Sequence, residues 1–304
     1  MATHETVRAG DSVIIDAQIH VWKSSTPDRP WPADAIEPQR PVPLEVPEVR
    51  AEMDNAGVRA ALLLAPTWEG SRNDYVLATA AAEPERFGAL CRFPTADPAA
   101  VEKLAHWRET AGMRGIRLSL NRGDVESALG AAIDSGFFAA AQEHRVPLSV
   151  YAPGRYGLFG ELARRFPGLL ITVDHCAIED DRLALPDAIE PLTDLARYPG
   201  IAVKASALPC FVRETFPFPS IETAVYRLVE AFGAQRVFFG SDLSRLPVPY
   251  AQLVNTFTDH LPRLDTAERQ LVLGGALAKW LEWPEPHSVP AVASRHMTSF
   301  ENGD

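Results

Sequence analysis

Polar side chains that could perform hydrolytic chemistry stand at the ends of short apolar runs of this chain. Imidazole, carboxylate and carboxamide groups together suit polarisation of a carbonyl and activation of a water molecule. Two imidazoles and a carboxylate also suit a divalent metal, for which a glutamine is a weak ligand. Both interpretations are open on residue types alone. The side chains are Asp16, Gln18 and His20 in the first run, Asp174 and His175 at the end of the sixth, and Asp242 after the eighth.

A second group of residues could bind an anion. Arg117 and Arg122 lie in or just after the fourth run, and Arg213 follows the seventh. Guanidinium groups bind carboxylates through paired hydrogen bonds. Tyr151 ends the fifth run, and Lys204 in the seventh is open to two interpretations, an interior ion pair or a substrate contact. These residues predict a small anionic substrate.

Eight apolar runs, bounded by turn residues, are predicted to be the strands that position these groups. The segments between them are long enough for right-handed crossovers, and runs that are apolar on both faces are typical of a parallel sheet covered by helices. The pattern predicts a single (β/α)8 barrel from about residue 13 to residue 283. A doubly wound sheet is the alternative, but no Gly-x-Gly-x-x-Gly follows any run. The predicted strands are Val13–Val21, Val58–Ala65, Phe87–Phe93, Met113–Leu120, Val146–Ala152, Leu169–Asp174, Ile201–Ala207 and Val237–Gly240.

Helices are predicted between the strands, and the active site at the carboxyl ends of the strands. Alternation along the first strand predicts that Asp16, Gln18 and His20 share one face, so that His20 converges with His175 and Asp242. The predicted helices are Pro47–Ala56, Asn73–Glu83, Pro98–Thr110, Ser135–His144, Leu158–Arg165, Ile221–Phe232 and Thr266–Trp280.

Two segments fall outside the strand–helix repeat. Lys23–Glu45 is rich in proline and follows the first strand, so a barrel would place it at the catalytic mouth as a loop or lid. We expect it to cover the substrate, with Trp22 in contact with the substrate ring; a surface excursion is the alternative. The polar tail of residues 284–304 is expected to be weakly ordered.

Composition disfavours nucleic-acid-binding, membrane and secreted classes of protein. The 304 residues include 40 acidic and 29 basic side chains, a net charge of -11, which lacks the basic surplus of nucleic-acid binders. No apolar run reaches the roughly 18 residues of a membrane helix, and the polar first residues lack a signal-peptide pattern. Cys91, Cys176 and Cys210 form no zinc or disulfide pattern. We expect a cytoplasmic protein with no nucleic-acid or membrane partner; its oligomeric state is not readable from the sequence.

Four segments resemble the amidohydrolase-2 family of the amidohydrolase superfamily. They are IIDAQIHVW, ITVDHCA, FFGSDLSRLP and LVLGGALAKWLEW. Their order is most similar to its lactone-hydrolase branch, which includes 2-pyrone-4,6-dicarboxylate lactonases and sugar-lactone and muconolactone hydrolases. The family pattern begins with His-x-His, and Gln18 stands where the first histidine belongs.

The resemblance implies roles for individual residues. Asp242 would activate water, while His175, His20 and Gln18 would polarise the substrate carbonyl. Because the pyrone lactonases work without an added metal, and Gln18 weakens a metal site, no cofactor is expected. A zinc or manganese ion, if bound, would be held by His20, His175 and Asp242. Substrate contacts would come from Tyr151, Arg117, Arg122 and Arg213.

Three hypotheses therefore follow. The first is a hydrolase of a lactone or similar cyclic ester that carries a carboxylate. The second is a metal-dependent, non-oxidative decarboxylase of an aromatic or muconate-type acid, which the missing first histidine disfavours. The third is a catalytically silent barrel that binds a ligand. Gln18 favours this third hypothesis, whereas the presence of both His175 and Asp242 disfavours it.

Overall fold

The computed structural model describes residues 13–283 and contains one eight-stranded parallel sheet. The strands pair in sequence order from first to last. They are β1 Ile15–His20, β2 Ala60–Leu64, β3 Phe87–Cys91, β4 Met113–Ser119, β5 Leu148–Tyr151, β6 Ile171–Val173, β7 Ile201–Ser206 and β8 Val237–Gly240.

Helices follow the strands and surround them. The α-helices are α1 Val46–Ala56, α2 Asp74–Ala82, α3 Pro98–Val101, α4 Val125–Asp134, α5 Phe137–Glu143, α6 Tyr156–Arg165, α7 Leu185–Ala188, α8 Glu190–Thr193, α9 Pro219–Phe232, α10 Tyr250–Asp259, α11 Thr266–Gln270 and α12 Ala276–Trp280. None of the helices between residues 13 and 283 is long and apolar enough to cross a membrane.

The sheet curls so that its first and last strands meet. Next to β8, the backbone N–H of Asp242 donates to the carbonyl oxygen of Gln18 in β1 at 2.9 Å. A doubly wound sheet would reverse its strand order partway, and this sheet does not. The predicted (β/α)8 barrel is therefore confirmed, and each observed strand lies inside its predicted run.

Two apolar layers hold the barrel together. Outward residues of the strands, such as Ile19, Leu63 and Val203, pack against the surrounding helices. Inward residues near the amino ends of the strands, among them Leu62 and Phe238, pack against α12 and its neighbours. Such double-sided burial explains why the strands read as continuous apolar runs.

The segment that contains Gly274 closes the amino end of the barrel by packing closely against the backbone of β1. A Cβ on Gly274 would lie 2.9 Å from both the backbone nitrogen of Ile15 and the carbonyl oxygen of Val13. Only glycine fits there without moving β1. The backbone also turns irregular at this point, because a π-helical turn at Leu271–Gly275 separates α11 from α12.

The helix predictions were less complete than the strand predictions. Thr266–Trp280 is divided by the π-helical turn. In Pro98–Thr110 only α3 is α-helical, and Glu102–Glu109 is a 3₁₀ helix with a break at His106. Four helices were missed, namely α4, α7, α8 and α10. A signal for α4 was present, since Asp124 caps it by accepting a hydrogen bond from the Ser127 backbone N–H at 3.0 Å. The predicted tail lies outside the described residues.

Candidate active site

A small cavity of about 200 Å³ opens at the carboxyl ends of the strands. Most of the predicted site residues meet there, because parallel strands end at the same edge of a barrel. Its polar and aromatic lining residues are His20, Glu37, Gln39, Thr67, Trp68, Arg92, Arg117, Ser119, Asn121, Arg122, Tyr151, His175, Asp242 and Arg245.

A bulge in β1 decides which of its side chains face the barrel interior. The β1–β2 register shifts between Asp16 and Ile19. Asp16 therefore turns outward, where it accepts hydrogen bonds from the Tyr250 hydroxyl of α10 at 2.5 Å and from the Ser241 backbone N–H. Gln18 and His20 turn inward. The expectation of one shared face is thus wrong for Asp16, which instead braces the turn after β8.

His20 lies at the carboxyl end of β1, and its hydrogen-bond partner indicates its tautomer. Its Nδ1 lies 3.3 Å from the carbonyl oxygen of Leu64, and a carbonyl can only accept, so Nδ1 carries the hydrogen. Burial, followed by the charges of Arg117 and Arg92, lowers the pKa of His20 to about 3, which keeps the ring neutral. Its Nε2 therefore holds a lone pair, which faces Asp242 Oδ1 at 3.7 Å. The expected role of His20 as a donor to a carbonyl oxygen does not fit this proton arrangement.

His175 follows β6 in a left-handed backbone conformation with φ of 51°. Such a conformation is uncommon for a residue other than glycine and is found at functional sites. Its Nδ1 lies 2.8 Å from the Ser206 hydroxyl, and its Nε2 lies 3.6 Å from Asp242 Oδ2. Burial lowers the pKa of His175 well below its usual value, although the charge of Asp174 opposes the shift.

Asp242 is the buried carboxylate at the centre of the site. It is 1% exposed, has φ of 53°, and its Oδ1 accepts no hydrogen bond. Oδ2 lies 3.4 Å from Nε of Arg245. Burial raises the pKa of Asp242 to about 6, against the opposing charges of Arg245 and Arg117. A carboxylate that is ionised at neutral pH, yet binds a proton readily, is suited to act as a general base.

Beneath this carboxylate, the barrel interior contains a buried ionic cluster. The Lys204 ammonium donates to Gln18 Oε1 and to the Ser149 hydroxyl, each at 2.8 Å, and pairs with Asp174 at 3.0 Å. Arg117 pairs with the other oxygen of Asp174 at 2.9 Å. Burial alone raises the pKa of Asp174, but the charges of Arg117 and Lys204 hold it well below its usual value. Lys204 is thus part of an interior ion pair and does not line the cavity.

Several guanidinium groups line the cavity wall. Arg92, Arg117, Arg122 and Arg245 all line it. Arg92 and Arg245 were missed, although Arg92 directly follows β3 and Arg245 lies three residues after Asp242. Arg213, by contrast, is 85% exposed and pairs with Asp181 away from the cavity, so the structure does not bring it to the site.

The aromatic wall also differs from the expectation for Trp22. Trp22 is fully buried and packs edge-on against Trp68, with ring centroids 5.0 Å apart. Trp68 lines the cavity in its place. On the opposite side, the Tyr151 ring meets His175 edge-on at 5.4 Å.

The Pro-rich segment 23–45 reaches the cavity through Ile36, Glu37 and Gln39. The Ser244 hydroxyl donates to Gln39 Oε1 at 2.5 Å, and Arg40 donates to the carbonyl oxygens of Leu243 and Ser244. These bonds fasten the segment to the loop after β8, on the catalytic side of the barrel.

A divalent metal fits this site poorly. His20 Nε2 and His175 Nε2 each lie within 3.7 Å of Asp242, but Gln18 stands where the resemblance implies a further imidazole. Gln18 Oε1 already accepts from Lys204, so its amide nitrogen faces His20 at 3.4 Å. Arg92, Arg117 and Arg245 add positive charge around the same atoms. Between residues 13 and 283, no three His, Cys, Asp or Glu side chains form a metal-binding group.

Comparisons with known proteins bear on the family and the fold. The family model described as Amidohydrolase matches residues 15–282. An L-fucono-1,5-lactonase from Burkholderia ambifaria is 26% identical over 270 residues, which cover 81% of this chain and 83% of that protein.

Solved structures that share the fold include the following two. A probable 2-pyrone-4,6-dicarboxylic acid hydrolase from Acinetobacter baumannii, with citric acid bound, has a TM-score of 0.72 at 17% identity and covers 88% of this chain and 99% of its own. An amidohydrolase from Burkholderia multivorans with bound zinc has a TM-score of 0.72 at 21% identity and covers 90% of this chain and 100% of its own.

Proposed function

Because the chain belongs to the amidohydrolase family, we propose that it hydrolyses a lactone that carries a carboxylate. One observation carries this proposal: the free Oδ1 of the buried Asp242 lies in a cavity walled by arginines. The lactonase named among its relatives supports the same reaction class. The small cavity favours a single-ring substrate.

In the proposed reaction, the Asp242 carboxylate takes a proton from water as the water oxygen attacks the lactone carbonyl carbon. The carbonyl oxygen becomes an oxyanion. His175 donates to it through Nε2–H, provided that Ser206 donates its hydroxyl hydrogen to Nδ1. Asp242 then returns the proton to the ring oxygen as the carbon–oxygen bond breaks. The products are a hydroxyl and a carboxylic acid, and the acid then releases its proton to solvent as a carboxylate.

The other residues prepare this step without transferring a proton. His20 lies beside Oδ1 with an unprotonated Nε2, so it does not compete with water for that oxygen. Gln18 is fully buried behind His20 and acts through it. We assign the substrate carboxylate to Arg122 and Arg92, and contact with a ring oxygen to Tyr151, because these side chains line the cavity.

We propose that no divalent ion takes part. The zinc-bound amidohydrolase shows that a related barrel accepts a metal. In this chain, however, an amide replaces an imidazole, and the surrounding guanidinium groups oppose a second positive centre. The decarboxylase hypothesis, which needs such an ion, is disfavoured for the same reason. Cytoplasmic location remains a prediction.

A substrate panel tests the proposal. Purified, metal-depleted protein should be assayed against lactones that carry one or two carboxylates and against neutral sugar lactones, including L-fucono-1,5-lactone. We expect the carboxylated lactones to give the higher kcat/KM, because the arginine wall selects an anion. Preference for neutral lactones would reject the anion part of the proposal, and no lactone turnover would reject the reaction.

A further inference from the structure

A chain of hydrogen bonds runs from Lys204 in the barrel interior to His20, which lies beside the catalytic base Asp242. Lys204 Nζ donates to Gln18 Oε1 at 2.8 Å, and Gln18 Nε2 lies 3.4 Å from His20 Nε2. His20 Nδ1 then donates to the carbonyl oxygen of Leu64 at 3.3 Å. Lys204 is 1% exposed and does not reach the cavity, so it has no direct contact with substrate.

Each bond in this chain has only one possible direction. A lysine ammonium can only donate, so the Gln18 atom that it touches must be the carbonyl oxygen. The Gln18 –NH₂ group must therefore face His20. At the far end the carbonyl of Leu64 can only accept, so the His20 hydrogen lies on Nδ1. Both ends thus require an unprotonated Nε2.

The unprotonated Nε2 matters because of its neighbour. Asp242 Oδ1 lies 3.7 Å away and accepts no hydrogen bond. If His20 carried its hydrogen on Nε2, the ring would face that oxygen with a donor. A donor to a carboxylate stabilises the charged form and weakens it as a base.

We propose that Lys204 is a positioning residue that, through Gln18 and the tautomer of His20, keeps Oδ1 of Asp242 free of protein donors. Its effect on turnover rests on the proposed function, whereas its effect on the His20 tautomer does not. In this arrangement both Gln18 and Lys204 are needed to fix the tautomer of His20. The amide supplies the donor to His20, and the lysine prevents the amide from turning over.

Within residues 13–283, His20 alone among the ionisable groups paired with Asp242 faces Oδ1, so none of the others would replace this control. Arg245 and His175 face Oδ2, whereas His20 faces Oδ1. The remaining ionisable groups that act on Asp242 do so at longer range. They are Arg117, Asp16 and Asp174.

Removing the lysine should reverse the direction of the hydrogen bond between Gln18 and His20. In Lys204→Met, Gln18 Oε1 loses its donor, and a buried oxygen without a partner is unfavourable. Rotation of the amide lets Oε1 accept from His20, which then moves its hydrogen to Nε2. Asp174 keeps Arg117 and Ser149 as partners, so no buried charge is left alone. Gln18→Glu should act in the same direction, since it keeps the contact with Lys204 but presents an acceptor to His20.

Nitrogen-15 NMR of histidine-labelled protein measures the tautomer without any substrate. The His20 signals can be assigned by their loss in His20→Asn. In the unmutated protein we expect protonated Nδ1 and unprotonated Nε2; the reverse would overturn the proposal without the need for any variant. Lys204→Met and Gln18→Glu should both show Nε2 protonated. An unchanged His20 tautomer in folded Lys204→Met would also overturn it.

The pH dependence of kcat/KM supplies the functional measurement. A donor on Oδ1 should move the inflection assigned to Asp242 to lower pH by about one unit. Ser149→Ala is the matched control, because Ser149 contacts the same lysine but not Gln18. It should leave both the tautomer and the inflection unchanged; a shift equal to that of Lys204→Met would assign the effect to general loosening of the barrel. If no lactone is hydrolysed, the proposed function fails, while the NMR result still decides this inference.

Discussion

The two ends of the barrel interior are filled by opposite kinds of side chain. Near the amino ends of the strands, Leu62, Phe238 and Leu277 form a fully packed apolar plug. Near the carboxyl ends, Asp174 and Lys204 are equally buried but charged. Burial of apolar side chains stabilises the fold at the first end. At the second end, burial removes the charged groups from water, and their ion pairs offset only part of this desolvation free energy.

Positive φ values are most frequent at the catalytic end, although Arg145 and Glu282 also adopt them away from it. His175, Cys176 and Asp242 adopt positive φ at the catalytic end. Such conformations cost roughly 1–3 kcal/mol each and persist only where the surrounding structure enforces them. The apolar plug therefore stabilises the fold, and this stability compensates for the strained and charged end at which the chemistry takes place.

The largest expected effect comes from the polar end. Asp242→Asn keeps the shape of the side chain and tolerates positive φ, but removes the base. We expect kcat to fall by about 10²–10⁴-fold. Steady-state kinetics on the best lactone measures it, and full turnover would reject the water-activation mechanism.

The same substitution should not weaken the fold. The pKa of Asp242 is raised by burial to about 6, so the folded state binds this proton more tightly than the unfolded state. Between the unfolded value near 4 and about 6, rising pH therefore removes stability. At neutral pH, Asp242→Asn should raise Tm or leave it unchanged. A large loss of Tm would contradict this expectation, because it would show that Asp242 also stabilises the fold.

A smaller effect is expected at the rim of the cavity. Arg122→Ala should raise KM with little change in kcat, because a carboxylate contact is the same in the ground and transition states. A lost charged hydrogen bond of about 1.5–3 kcal/mol corresponds to roughly a 10- to 100-fold rise in KM. Arg213→Ala is the control, since that side chain lies outside the cavity, and equal effects from both variants would contradict this assignment.

The smallest effect on turnover is expected from the apolar plug. Leu277→Ala removes a side chain that is 1% exposed in α12 and should cost about 2–5 kcal/mol of unfolding free energy. The kcat of the remaining folded protein should be unchanged. Urea unfolding together with kinetics checks both expectations, with the exposed Lys279→Ala as control. A matching loss of kcat would show that the plug also positions the site.

The sequence predicted the barrel well because burial on both faces leaves an unmistakable apolar run for each strand. It also placed His20, His175 and Asp242 at the mouth, since strand ends converge in any such barrel. It did not foresee the bulge that turns Asp16 outward, because strict alternation contains no sign of an extra residue. Nor could it show that Trp22 lies behind Trp68, or that Arg213 turns away, because loop paths decide both.

The most direct test of the central claim is the pH dependence of kcat/KM for metal-depleted protein on a carboxylated lactone. If Asp242 is the base and no ion is required, chelation should leave activity intact. The rate should then rise through a single inflection near the Asp242 pKa of about 6 and level off above it, because only the ionised carboxylate accepts a proton. Activity that appears only after zinc or manganese is added, or a rate that does not change across that range of pH, would contradict the account.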